Sequence, residues 1–143
     1  MDLLDANILI GAFRRDDPHH GKLKAWLEQT LNDRQPVSFP ALVEVAFVRI
    51  VTHPKIFRQP SSVAEAERFL KAVRGSECFH ETSWTNAIRA QWIEFCTGLG
   101  LSGNDVNDAC LAAIARVTGC RVVSRDQGFA RFPGIRWFDP TGE

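Results

Sequence analysis

The sequence predicts an α/β protein built on a parallel sheet with helices on both faces. Short apolar runs such as "DLLDA", "PVSFP" and "CRVVS" alternate with longer helical patterns along the chain, as repeated strand–helix–strand crossovers require. "CRVVS" is apolar without alternation, which suits a strand covered on both sides. Asp5 and Asp126 each fall just past the end of such a run, where parallel sheets place their functional crevice.

Each element has its own signal. "DLLDA" is a strand ending at Asp5, and "NILIGAF" begins a helix with Asn7 near its cap. In "DDPHHGKLKAWLEQTLND", Pro18 stands near a helix start, and Leu23, Trp26, Leu27 and Leu31 form an apolar stripe. "PVSFP" is a short strand. "ALVEVAFVRIVTH" is a helix starting after Pro40, with Glu44 about one turn in, and Pro54 stops it. "SVAEAERFLKAV" opens with a capping box from Ser62 to Glu65 and is followed by Gly75.

"ECFHE" is strand-like, and "SWTNAIRAQWIEFCTGLG" is a helix with Ile88, Trp92 and Phe95 on one side. "SGNDVNDACLAAIARVTG" places Val106, Cys110, Ala113, Ile114 and Val117 on one helical face, and Gly119 ends it. After the strand "CRVVS", "DQGFARFPG" is a turn or short helix and "IRWFDP" a last strand.

The totals narrow the class. A chain of 143 residues makes one domain, expected over 1–143, that buries roughly 70% of the surface its unfolded form exposes. No run of about 18 apolar residues is present, so no membrane span is expected. "MDLLDANILI" lacks a basic n-region and is not expected to act as a signal peptide. Cys78, Cys96, Cys110 and Cys120 form no C-x-x-C pair, which favours free thiols in a reducing cytoplasm. His19, His20, His53 and His80 have no zinc-ligand spacing. The formal net charge is zero, so any nucleic-acid contact must use local patches or acids offset by metal. Arg14, Arg15, Lys22, Lys24, Arg49, Lys55 and Arg58 are candidates for phosphate contact, with a solvated face as their default.

Asp5, Glu44, Asp108 and Asp126 can converge on one rim of the expected sheet, two after strands and two near helix N-termini. Two unit charges at 4 Å repel by roughly 4 kcal/mol at an effective dielectric near 20. A helix N-terminus returns only about 0.3–1 kcal/mol. Four such carboxylates must therefore take up protons or bind a cation. A hard divalent ion suits all-oxygen ligands, and Mg²⁺ binds through one or two carboxylates plus waters and phosphate.

"LLDAN", the Glu early in a following helix, "NDACLAAIA" and "VVSRDQGFARFPGIRW" together resemble the PIN domain, and within it the VapC-type toxins of bacterial toxin–antitoxin pairs. The resemblance covers essentially the whole chain. It implies a PIN-like three-layer α/β/α fold with a central parallel sheet. It also implies a metal-dependent endoribonuclease that cuts single-stranded or loop RNA, pairs as a homodimer and is silenced by a cognate VapB-like antitoxin. Carried over position by position, the acidic site becomes Asp5, Glu44, Asp108 and Asp126. Asp5 and Asp108 are then the principal Mg²⁺ or Mn²⁺ ligands, and Asp126 and Glu44 complete the site directly or through water. Asn7 and Ser124 match polar positions that orient the acids. Asp105, three residues before Asp108, is either an extra ligand or an acid favoured at a helix N-terminus.

Two alternatives stay open at this level. One is a PIN nuclease serving RNA processing outside a toxin–antitoxin pair. The other is a Mg²⁺-binding signalling domain of the phospho-acceptor kind, disfavoured because Ala6 follows Asp5 and no Lys lies in "CRVVSRD".

Overall fold

A computed structural model describes residues 1–142. Four parallel strands form one sheet in the order β2-β1-β3-β4. They are β1 (Asp2–Leu4), β2 (Val37–Ser38), β3 (Arg121–Val123) and β4 (Arg136–Phe138). Leu3 pairs with Ser38 on one side and Val122 on the other, and Val122 pairs in turn with Trp137. Leu3, Leu4, Val37, Val122 and Val123 are almost wholly buried, and each such side chain contributes about 1.5–3 kcal/mol through removal from water. The unbroken apolar runs thus reflect strands covered on both faces.

Among the described residues six helices flank the sheet: α1 (Ala6–Phe13), α2 (His20–Asn32), α3 (Ala41–Val51), α4 (Val63–Arg74), α5 (Asn86–Gly98) and α6 (Asp105–Thr118). Helix α1 packs on α2 and α3, α3 on α4, and α5 on α6. Phe13, Phe47 and Phe69 pin α1, α3 and α4 together, with ring centroids 5.2–5.5 Å apart. The capping box of α4 forms as expected: the Glu65 amide donates to the Ser62 hydroxyl, and the Ser62 amide donates to the Glu65 carboxylate. Helix α6 ends at Gly119, whose φ of 75° is left-handed and costs a residue with a Cβ roughly 1–2 kcal/mol.

Two expectations are corrected and one, the cap of α1, is made specific. "ECFHE" contributes only a bridge from Phe79 to Val37 at the sheet edge, because the chain leaves α4 through a turn and touches β2 for one residue. The cap of α1 is Asp5, whose side chain accepts the Ala6 amide, and Asn7 is free to reach elsewhere. Helix α6 buries Ala109 and every residue from Leu111 to Ala115, more than the single face its periodicity suggests, while Val117 is exposed. Lying beside both α5 and β3, it has apolar neighbours on two sides, and its alanines let them approach. All four cysteines are free. Among the described residues no helix is long and apolar enough to cross a membrane.

The strand order has a consequence for function. From β1 the chain crosses to β2 on one side, whereas β3 and β4 lie on the other. The switch point therefore falls between β1 and β3, and open α/β sheets leave a crevice beyond the strand ends there.

Candidate active site

Asp5 leaves β1 and Ser124 leaves β3 at that switch point. One oxygen of Asp5 accepts the Ala6 amide at 2.8 Å. The other accepts the Ser124 hydroxyl at 2.7 Å and the Asn7 amide at 3.4 Å. The wholly buried Ser124 in turn accepts Asn7 Nδ2 at 3.1 Å and the Asp126 amide at 3.0 Å. Asn7 also accepts the Arg125 amide at 3.1 Å. Asn7 and Ser124 thus tie the ends of two strands together and aim Asp5, as outer partners of a metal site do. Asp126 is held as the cap of a short 3-10 turn, Gln127–Arg131, accepting the Gly128 amide at 2.8 Å.

Asp108 comes from the first turn of α6 and completes a group of three. Asp5, Asp108 and Asp126 line one cleft of about 290 Å3 with α1, α3 and α6. Their proximity is felt electrostatically. Burial, followed by the charges of Asp5 and Asp126, pushes the Asp108 carboxyl up to about 6. Burial also raises Asp5, with Asp126 adding to the push, while the bonds from Ser124 and Ala6 hold it down. Larger volume alone does not mark the site: a cleft of about 670 Å3 beside Phe13, Arg14 and Arg58 contains none of these acids.

Arg131, on the 3-10 turn, lies 3.3 Å from Asp105 and 3.5 Å from Asp108. It opposes the upward shift of Asp108 and is the built-in counter-charge of the cluster. Arg131→Gln is expected to lift the Asp108 midpoint further above about 6, followed by carboxyl-carbon NMR titration. An unmoved midpoint would deny Arg131 this role. Nothing in the sequence periodicity singled Arg131 out; only its place in the turn after Asp126 brings it back over α6.

Glu44 departs from the expected convergence. Residues Leu42, Ala46, Arg49 and Ile50 carry the cleft-facing stripe of α3. At about 100° per residue, Glu44 emerges roughly 160° around the helix from the middle of that stripe. Its carboxylate is taken by Arg74 of α4 at 3.0 Å, and the same guanidinium pairs with Glu81. Asp105 likewise does not line the cleft but shares Arg131 with Asp108. Three carboxylates are therefore brought together, one is turned away, and Asp105 stands beside them.

Among the described residues no three acidic, His or Cys side chains form a ready-made metal cage. The all-oxygen set of Asp5, Asp108 and Asp126 nevertheless fits a hard dication. Mg²⁺ takes one or two carboxylates and keeps its waters instead of entering a closed protein cage. Burial first, and the neighbouring carboxylates after it, disfavour charge on Asp5 and Asp108, and a bound dication would offset both.

Comparison with known proteins identifies the family. The PIN domain family profile matches residues 3–135. Ribonuclease VapC31 of Mycobacterium tuberculosis is 38% identical over 140 residues, covering 98% of this chain and 99% of the relative. Ribonuclease VapC25 of the same species is 36% identical over the same shares. Among solved structures, VapBC2 from Rickettsia felis bound to a promoter DNA fragment superposes with a TM-score of 0.72 at 16% identity, over 96% of this chain and 97% of that one. Mycobacterium tuberculosis VapC20, a sarcin–ricin-loop-cleaving toxin, superposes with a TM-score of 0.68 at 18% identity, over 95% and 99%. Its profile, its full-length kinship to the VapC ribonucleases and its fold place this chain in the PIN domain family.

Proposed function

We propose that the chain is a divalent-metal-dependent endoribonuclease of the VapC kind, working as one domain over 1–143 on cytoplasmic RNA. The observation that carries this reading is the meeting of Asp5, Asp108 and Asp126, from β1, α6 and the β3 end, in one cleft at the sheet switch point. Asp5 and Asp108 are the residues that would hold Mg²⁺ or Mn²⁺, with Asp126 completing the site directly or through water. The bound ion supplies water activation and stabilises charge developing on a phosphodiester.

The protein's own groups prepare that chemistry. Ser124 and Asn7 fix the carboxylate of Asp5, so little orientational freedom remains to be lost when it binds. Asp108, its carboxyl pushed up to about 6 by burial and the neighbouring acids, would be held in its ionised form by a bound dication. Arg131 pairs with both Asp105 and Asp108 and offsets part of the repulsion that Asp105 adds at Asp108. The experiment is incubation of purified protein with labelled single-stranded RNA in Mg²⁺ or Mn²⁺ and in excess chelator. Internal cuts are expected only with metal, and undiminished cleavage in chelator would overturn the reading.

The placement of Glu44 makes a separate prediction. Because its partner is Arg74 and not the cleft, Glu44→Gln is expected to weaken Mn²⁺ binding by less than about tenfold, the lower range for an outer contact. Calorimetric titration of the variant decides this, and loss of binding equal to that of an Asp5 variant would return Glu44 to the metal group.

A VapB-like antitoxin and a second copy of the chain are the proposed partners. Support comes from structural neighbours that include VapBC2 and other toxin–antitoxin complexes. A PIN nuclease outside such a pair shares the same site. Release of toxicity by co-expression of a small protein encoded beside this chain separates the two.

A further inference from the structure

We propose that Arg49 grips a phosphodiester of the RNA strand next to the acids, and is the residue that lets an anionic substrate enter an anionic cleft. The inference rests on the endoribonuclease reading above. Arg49 lines the same cleft as Asp5, Asp108 and Asp126. It sits on the α3 stripe with Leu42 and Ala46, two turns into the helix.

Arg49 combines a place in this cleft with a lack of commitment; Arg15, Arg58, Arg68, Arg89 and Arg116 are also unpaired among the described residues but do not line it. Arg14 is bound to Asp16, Arg74 to Glu44 and Glu81, Arg121 to Asp2, and Arg125 to Asp17. Arg131 is shared by Asp105 and Asp108. Among the described residues Arg49 makes neither an ion pair nor a side-chain hydrogen bond, and it is exposed. A guanidinium kept free at the edge of an acidic cleft is a five-donor fork with nothing in the protein to receive it.

The charge of the cleft gives that fork a task. Arg131 is already matched by Asp105, so three carboxylates remain. A dication leaves one net negative charge facing the incoming phosphate, and Arg49 cancels it. The planar fork also meets two phosphate oxygens at once, which an ammonium does not. With a net charge of zero over the whole chain, a general basic surface is not there to do this work.

The test uses the full chain carrying Asp5→Asn, so that the strand survives, and a short 5′-fluorescein single-stranded RNA read by anisotropy from about 50 to 200 mM salt. Adding Arg49→Ala is expected to weaken binding about tenfold, as loss of a charged hydrogen-bond donor does. It should also flatten the slope of log affinity against log salt by about 0.7, the value for one single-strand phosphate contact. Arg49→Lys keeps the slope and recovers only part of the affinity. Because the side chain is exposed, an unchanged melting temperature is expected, and a lowered one accompanied by an unchanged salt slope would mean a merely structural role. In the otherwise native chain, Arg49→Ala raises KM for RNA more than it lowers kcat. An unchanged slope and KM, in a protein that still cuts RNA with metal, overturns the proposal alone. A native chain that neither binds nor cuts RNA overturns the nuclease reading along with it.

Discussion

Asp108→Asn and Asp5→Asn are each expected to lower RNA cleavage by at least roughly 100-fold, since even partners one step removed from a metal cost 10- to 100-fold. Both replacements keep shape and remove charge, so loss of the cation is the direct effect. They differ in what else they disturb. The Ser124 hydroxyl donates to Asp5 and already accepts from Asn7 and the Asp126 amide. In Asp5→Asn, a side-chain amide turned toward that hydroxyl would be a third donor at an oxygen with two lone pairs. The side chain then has to flip or the network loosens, so Asp5→Asn also carries a stability cost of about 1 kcal/mol. Asp108 makes only the ion pair with Arg131 at 3.5 Å, and its replacement is the cleaner one. Cleavage of labelled RNA and Mn²⁺ calorimetry on both variants check this, and native rates in either purified variant would sink the assignment of these acids.

In the metal-free protein, Asp108→Asn should be more stable than the native chain at neutral pH. The folded carboxyl titrates at about 6 against an ordinary value of 3.8. Between those values the folded chain keeps a proton that the unfolded chain has lost. Stability therefore falls as pH rises through roughly 4 to 6, and the full penalty is present above that window. The shift corresponds to about 3 kcal/mol at 1.36 kcal/mol per pH unit. Half-burial and solvent screening reduce this to about 1–2 kcal/mol, or about 3–6 °C in melting temperature for a chain of this size. Scanning calorimetry in chelator at pH 7 and pH 5 is the measurement. The gap between variant and native chain should be widest at pH 7 and about half as wide at pH 5, the middle of the window. Mg²⁺ should raise the native melting point by stabilising only the folded form, and leave the variant nearly unmoved. A variant that melts below the native chain at pH 7 would mean that burial and the neighbouring acids do not penalise the charge on Asp108.

Local chemistry made much of the fold readable. The Ser62–Glu65 box, the Gly119 stop and the apolar runs of β1 and β3 all depend on neighbours a few residues away, and all appear where residue order places them. Asp5 and Asp126 were found for a related reason: a carboxylate just past a buried run marks a strand end, and strand ends share one edge in a parallel sheet. Asp108 followed from its place in the first turn of α6.

Glu44 shows where that reasoning stops. Its position one turn into α3 is a matter of sequence, but whether it faces the cleft or α4 depends on how α3 rolls against Phe13 and Phe69. Arg74, 30 residues away, then takes the carboxylate. Arg131 and Arg49 belong to the same class, since a long charged side chain has no periodic signature and its partner is set by packing.

The order of amino acids thus settled most of the strands and helices, though not "ECFHE", which acids stand at their ends, and to which family the chain belongs, because these follow from short-range preference and motif spacing. Which charges meet, which are cancelled by an arginine and which unpaired arginine borders the acids emerged only when the helices docked. Electrostatic energy varies with distances across the folded molecule, and no local rule of sequence contains those distances.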